Sequence, residues 1–209
     1  LVELFNVSIG TIRKAIGALE KEGILIRKQG LGTFVFQHDK NSFLFEYFHF
    51  ALNGSEEKKN PNVELISFTT KKSNKSESKA LKIPEGSNIY HIYNKLGLNK
   101  KFYIVDKIGI SHAKFPSLTE EMFRNRTNTI YNLYQNKFNI FITNCSEKIK
   151  AISSNERISN LLNIELNSPI LKIDRIGHTY HNEIIELRTS YVHTSDIEYI
   201  QSQNSMFGE

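Results

Sequence analysis

Apolar positions in the opening stretch, LVELFNVSIGTIRKAIGALEKEG, recur at helical spacing: Ile12, Ala15, Ile16 and Leu19 fall at i, i+3, i+4 and i+7 and form one stripe. The stretch predicts two helices divided by a short turn at Asn6 and Val7. Ser8 is the expected N-cap of the second, because its hydroxyl can accept an orphan amide hydrogen bond of the first turn. Gly23 ends that helix, and the period changes. Ile24, Leu25 and Ile26 form a β-type run, Arg27, Lys28 and Gln29 a basic polar group, and Gly30-Leu31-Gly32 a turn before Thr33, Phe34 and Val35. The expectation is a helix-turn-helix followed by a basic, glycine-tipped hairpin.

Phe36 to Asn41 reads as a connector, and Asn53 to Asn62 and Thr69 to Lys79 as exposed loops. Sliding the chain on itself by 81 positions reveals a weak duplication. Ala80-Leu81-Lys82-Ile83, Ser87, then Ile89, Tyr90 and Ile92 answer to Leu161-Leu162-Asn163-Ile164, Ser168, then Ile170, Leu171 and Ile173. Each half continues through a polar turn, Asn99 to Lys101 or Tyr180 to Asn182, into a strand, Ile104 to Asp106 or Ile184 to Glu186. With a one-residue gap Asp106 coincides with Glu186, and Asn94 with Arg175. Two ordinary helix-then-hairpin units would share such spacing, so the duplication needs a structure to test it. Asn128 to Phe138 and Ser146 to Leu162 carry amphipathic patterns expected to be core-facing helices. Hairpins with helices between them predict an antiparallel sheet in an α+β domain.

A chain of 209 residues and 24.1 kDa can bury a substantial core. Cys145 is the single cysteine, which excludes an intrachain disulfide or a thiolate cluster and suits a reducing cytoplasm. Apolar residues make up 39% and charged residues 23%, and no apolar run approaches the ~18 residues needed to span a bilayer. The net charge of +5 permits an anionic partner without requiring one.

Catalytic signatures are missing: no phosphate-cradling glycine loop, no HExxH, no Gly-x-Ser-x-Gly. No cofactor is implied, and no metal. His178 and His181 read as a solvated turn without a third ligand, and Cys145 as buried packing. Asp106 and Glu186, on strands facing an internal pocket, suit hydrogen bonding to a polyol better than acid–base chemistry. The nucleic-acid signal is sharper. Ser8, Ile9, Thr11, Arg13 and Lys14 occupy the N-terminal end of the second helix, where a recognition helix meets base edges. In the hairpin, Gly30 and Gly32 permit close backbone approach to a groove, Arg27, Lys28 and Gln29 flank phosphates, and Thr33 follows.

Residues 1 to 35, LVELFNVSIGTIRKAIGALEKEGILIRKQGLGTFV, resemble the reader of GntR-type bacterial regulators, whose hallmark runs L…VSxxTVRxAlxxLexeGlixrxxGxGTFV. The resemblance implies a winged helix-turn-helix whose first helix is missing from this chain. It also places Ile9 where the family usually carries arginine; an apolar side chain there can touch a thymine methyl but cannot fork onto guanine.

Residues 43 to 200 resemble the UTRA effector domain of the HutC branch, a chorismate-lyase-like α+β fold, through Ile83-Pro84-Glu85-Gly86, Phe115-Pro116, Thr129-Ile130-Tyr131, Ile185-Glu186 and Ser190-Tyr191. Members that bind amino-sugar phosphates use paired arginines where this chain has Asn94 and Leu96. The resemblance implies effector contacts from Asn94, Asp106, Thr129, Tyr131, Glu186 and Tyr191, with Lys95 or Arg175 supplying charge. The expected division is a reader at 1–36, a linker at 37–42 and an effector and dimerisation domain at 43–209. The implied protein is a cytoplasmic homodimeric repressor, released from double-stranded operator DNA by a sugar, sugar phosphate or related catabolite, with no membrane partner. An enzyme of the chorismate-lyase type is the alternative.

Overall fold

The computed structural model describes residues 1–21, 23–28, 31–36, 47–55, 57 and 59–200. Asn6, in the left-handed conformation at φ 49°, separates helix α1 (Val2–Phe5) from α2 (Ile9–Lys21). The Ser8 hydroxyl accepts the amide hydrogen bond of Thr11 at 3.1 Å, the N-cap its position predicts. Gly23, at φ +71°, turns the chain into β1 (Leu25–Lys28), which pairs antiparallel with β2 (Gly32–Val35) in the register Leu25↔Val35 to Lys28↔Gly32. Gly32 has φ +116°, backbone that a β-carbon would strain, so the glycine opening the GTFV strand is a conformational requirement. Gln29 and Gly30 of the hairpin turn, and the 37–42 linker, lie outside the described residues. None of the residues of α1 and α2 is buried; in the apolar stripe of α2, Ile12 and Ile16 are half-buried and Ala15 and Leu19 exposed.

The larger part is built on one six-stranded antiparallel sheet in the order β4-β5-β6-β9-β8-β7. Its strands are β4 (Asn62–Lys72), β5 (Asn88–Leu98), β6 (Lys101–Ser111), β7 (Asn144–Ser153), β8 (Pro169–His178) and β9 (Ile184–Val192). Helices α3 (Lys75–Leu81), α4 (Glu120–Arg124), α5 (Ile130–Phe138) and α6 (Glu156–Leu162) connect and cover it. A separate antiparallel pair joins β3 (Phe50–Leu52) to β10 (Ile197–Tyr199).

The strand order makes the sequence duplication a structural one, since each half contributes three adjacent strands and the halves meet at β6 and β9. Local chemistry repeats at the same offset of 81. Asn74 caps α3 and Asn155 caps α6; the Ser73–Ser78 and Ser154–Ser159 hydroxyl pairs are each 2.8 Å apart; Lys82 and Asn163 end their helices at φ 53° and 54°.

Two expected elements are corrected. Thr69 to Lys79 is not a loop: Thr69–Lys72 completes β4 and Lys75–Leu81 is α3. β4 is an edge strand, so its exposed Thr and Lys side chains look like loop composition while Thr69–Lys72 pair in register with His91 to Asn88 of β5. Similarly Ser146–Ser153 is not helical but belongs to β7, the opposite edge, paired to β8. Ile149 and Ile152 stand three apart and mimic a helical stripe.

Strand alternation sorts the core. One face carries Tyr90, Ile92, Ile108 and Ile110 under Phe115, Phe123, Tyr131 and Tyr134. The other carries Val105 and Ile170 under Ile158 and Leu162 of α6. On that face α3 packs against β9 and α6 against β6, so each helix covers a strand of the other half. No helix among the described residues is long and apolar enough to cross a membrane.

Candidate functional site

Asn94, Asp106 and Ser190 stand opposite one another across β5, β6 and β9, and the next row along the same face holds Ile108, Arg188 and Arg175. Period-2 alternation therefore brings Glu186, Arg188 and Ser190 together under α5. Arg188 is the hub. Its Nη1 donates to Asp106 Oδ2 at 3.2 Å and its Nε to Glu186 Oε1 at 2.9 Å, while Ser190 Oγ donates to Asp106 Oδ1 at 2.6 Å. Tyr131 and Tyr134, three apart on α5, donate their hydroxyls to the two oxygens of Glu186 at 3.1 and 2.8 Å.

Every member of this network is buried or nearly so, which makes the hydrogen bonds obligatory. Burial opposes the charge of Arg188, and the neighbouring Glu186 and Asp106 outweigh it, holding the guanidinium well above its ordinary pKa. Burial raises the Tyr131 and Tyr134 hydroxyls well above theirs, so both remain donors.

Above Asp106 the sheet and the segment leading into α5 enclose a hollow of about 110 Å³. Its polar lining includes Asn94, Asp106, Arg188, Arg126, Asn128 and Thr129, with Asn60 at the approach to β4, and Val63, Leu96 and Ile130 are among its apolar walls. Asn94 is 1% exposed, and neither end of its amide has a hydrogen-bond partner among the described residues. Thr129 doubles as the N-cap of α5, accepting from the Asn132 amide at 3.1 Å.

The structure thus brings Asn94, Asp106 and Thr129 to one cavity and places Tyr131 and Glu186 just beneath it, engaged with each other. It separates the others. Lys95 and Tyr191 both stand opposite Val105, on the α6 side of the sheet, because the alternation that aims Asn94 and Ser190 at the hollow aims their neighbours away. Lys95 pairs there with Glu64 at 3.1 Å. Arg175 is on the pocket face but bonded to Glu147 at 2.5 Å and to the Tyr47 carbonyl at 2.6 Å, outside the lining.

Sequence reasoning missed Arg188 and Arg126. Arg188 was discoverable: it lies two residues past Glu186, where the expected strand stopped, and continuing that strand puts it on the same face. Arg126 precedes α5 in irregular chain, where no periodicity points anywhere.

In the reading head, Ser8, Ile9, Thr11, Arg13 and Lys14 form one exposed end of α2, with Ile9 62% exposed. The Ser8 and Thr11 hydroxyls lie 3.0 Å apart, each able to donate to the other. Arg27 is committed elsewhere: its guanidinium bridges back to Glu20 at 3.1 and 3.2 Å and braces β1 against α2. Thr33, opposite Arg27 in β2, is exposed. The Lys28 side chain, like Gln29 and Gly30, lies outside the described residues.

A helix-turn-helix with a β-hairpin, joined to a sheet domain holding a small polar hollow, defines a DNA-binding regulator that senses a small molecule. Residues 1–35 match the bacterial regulatory proteins of the gntR family and residues 56–198 match the UTRA domain. The chain belongs to the gntR family of regulators, in the HutC branch that carries a UTRA effector domain. It is similar to the "Probable fructoselysine utilization operon transcriptional repressor" of Shigella flexneri, 27% identical over 88% of this chain and 74% of the relative. It is 34% identical to the "Histidine utilization repressor" of Klebsiella aerogenes over 44% of this chain and 38% of that one. The crystal structure of the possible transcriptional regulator YydK from Bacillus subtilis shares the fold, with TM-score 0.65 and 19% identity over 98% of this chain and 87% of YydK.

Proposed function

We propose that the chain is a cytoplasmic repressor that works as a homodimer and leaves its operator when a catabolite enters the hollow beside Asn94 and Asp106. The observation that carries this reading is the reach of α5. Thr129 and Ile130 at its start line the hollow, and Gln135, farther along, donates through Nε2 to the backbone carbonyl of Phe36 at 3.1 Å, directly after β2. One rigid helix touches both the ligand's seat and the end of the reading head. A ligand that binds one setting of α5 better than the other shifts the head by that difference in affinity.

The working division is a reader at 1–36, a linker at 37–42 and an effector and dimerisation domain from 43 onward. Ser8, Ile9, Thr11, Arg13, Lys14 and Thr33 would face operator DNA, with Lys28 and the hairpin tip on phosphates, and Arg27 would brace the hairpin. Two copies would read a palindromic site, since a two-fold protein matches a two-fold DNA. The similar repressors are named for fructoselysine and histidine utilization, which supports a polar catabolite as the effector.

Regulation is favoured over catalysis of the chorismate-lyase type because Asp106, the carboxylate that lines the hollow, and Glu186 beneath it are both engaged by Arg188. The test is a gel shift of the full chain on its operator with polar catabolites added. Release by one of them supports the reading; retention with all of them rejects it, and turnover of a small substrate abolished by Asp106→Asn would favour the enzyme.

A further inference from the structure

We propose that the effector carries an anionic group, a carboxylate or a phosphate, seated on Arg126 and aligned by the Asn94 amide; this rests on the reading of the hollow as the effector site. The arginines around the hollow are not equivalent. Arg188 is held by Asp106 and Glu186, and Arg175 by Glu147, so their charges are already answered. Arg126 has no carboxylate partner among the described residues. It donates one N–H to the Phe123 carbonyl and lies over the Phe123 ring, 4.5 Å from the centroid. A guanidinium has five donors in a planar fork, and Arg126 lines the hollow with donors beyond the one given to Phe123. Burial pushes its pKa down to about 10, which leaves it charged at neutral pH and poorly compensated.

Asn94 is the second, independent observation. A buried amide with neither end bonded carries a desolvation cost that the fold does not recover by itself. A ligand recovers it: an anion's oxygen accepts from Nδ2, while Oδ1 and the adjacent Asp106 accept from a hydroxyl or ammonium elsewhere on the same molecule. Arg126 makes no direct ion pair among the described residues, whereas Asp106 already accepts from Arg188 and Ser190, so an anionic group belongs at the Arg126 end of the hollow and a donor at the Asp106 end. Asn94 and Leu96 bring no cation to the hollow from the strand, so the anion's seat is Arg126 in the segment before α5.

Thermal unfolding of the full chain in inorganic phosphate, and separately in acetate, against chloride at equal ionic strength tests this. At least one of the two anions should raise Tm in the wild type; the phosphate arm marks a phosphoryl group and the acetate arm a carboxylate. Arg126→Gln should weaken the apparent anion affinity about tenfold or more, and Arg126→Lys should keep part of it. Equal shifts in wild type and Arg126→Gln, or no shift in either salt, overturn the proposal. A neutral sugar that releases operator equally from wild type and Arg126→Gln also overturns it, while leaving the repressor reading intact.

Discussion

Asn94 and Asp106 stand side by side on β5 and β6, yet Asp106 is bonded by Arg188 and Ser190 while the Asn94 amide has no partner among the described residues. The fold satisfies the charge and leaves the amide open. Asn94→Leu should therefore hold or raise stability, by about 1–3 kcal/mol where the leucine packs well, while operator release by the effector is lost. Urea unfolding and a gel shift on the same preparation check both halves. A variant that is destabilised and still responds would contradict the placement of Asn94.

Arg188→Met has the opposite character. It strands Asp106 and Glu186 beneath the hollow without their common cation, and breaking such a buried network costs about 3–5 kcal/mol. The expected result is a large drop in the urea midpoint. Glu186→Gln should cost less, since the amide oxygen can keep the bonds from Tyr131 and Arg188 while the amide nitrogen faces the Tyr134 hydroxyl, which can rotate to accept.

Gln135→Ala removes the bond to the Phe36 carbonyl and leaves the hollow untouched. Ligand affinity by calorimetry should be nearly unchanged. The effect of ligand on operator affinity, typically 5–150-fold in coupled systems, should shrink to about twofold. Fluorescence anisotropy with labelled operator reads this directly, and undiminished coupling would remove α5 from the mechanism.

Arg13→Ala should weaken operator binding by about 1–3 kcal/mol and binding to random duplex far less. Competition with unlabelled random DNA separates the two. Equal losses on both would mean that Arg13 meets only phosphate, or that the chain coats DNA without selecting a site.

Cys145 sits against the Tyr131 hydroxyl, and burial pushes its thiol up to about 11. At pH 8 the folded chain should react with iodoacetamide roughly a hundredfold more slowly than the chain in urea, because the thiolate is scarce as well as shielded. The sign follows from the shift. The unfolded thiol ionises first, so this group's contribution to stability is full below about pH 8.5 and falls as pH climbs toward the folded value.

Local chemistry was legible in the chain itself. Ser8 before an apolar 3–4 pattern, Gly23 after it, and Gly32 opening a strand are short-range requirements of caps and turns, and each appears where its residue type demands. The 81-residue offset was legible too, because Ser73, Asn74 and Ser78 and their counterparts make the same local bonds in both halves. Edge strands were harder. Thr69–Lys72 and Ser146–Ser153 carry the composition of loop and helix, and only pairing to β5 and β8 makes them sheet.

What tertiary structure alone decided is which polar groups meet and which go unanswered. Asp106 and Arg188 are 82 residues apart and Arg126 comes from irregular chain, so no period relates them. Pairing of β6 with β9 sets the first contact, and closure of the segment before α5 over the sheet brings in the second. Propensity and spacing act over a few residues. A buried charge balance depends on distances that only the closed sheet and its covering helix establish.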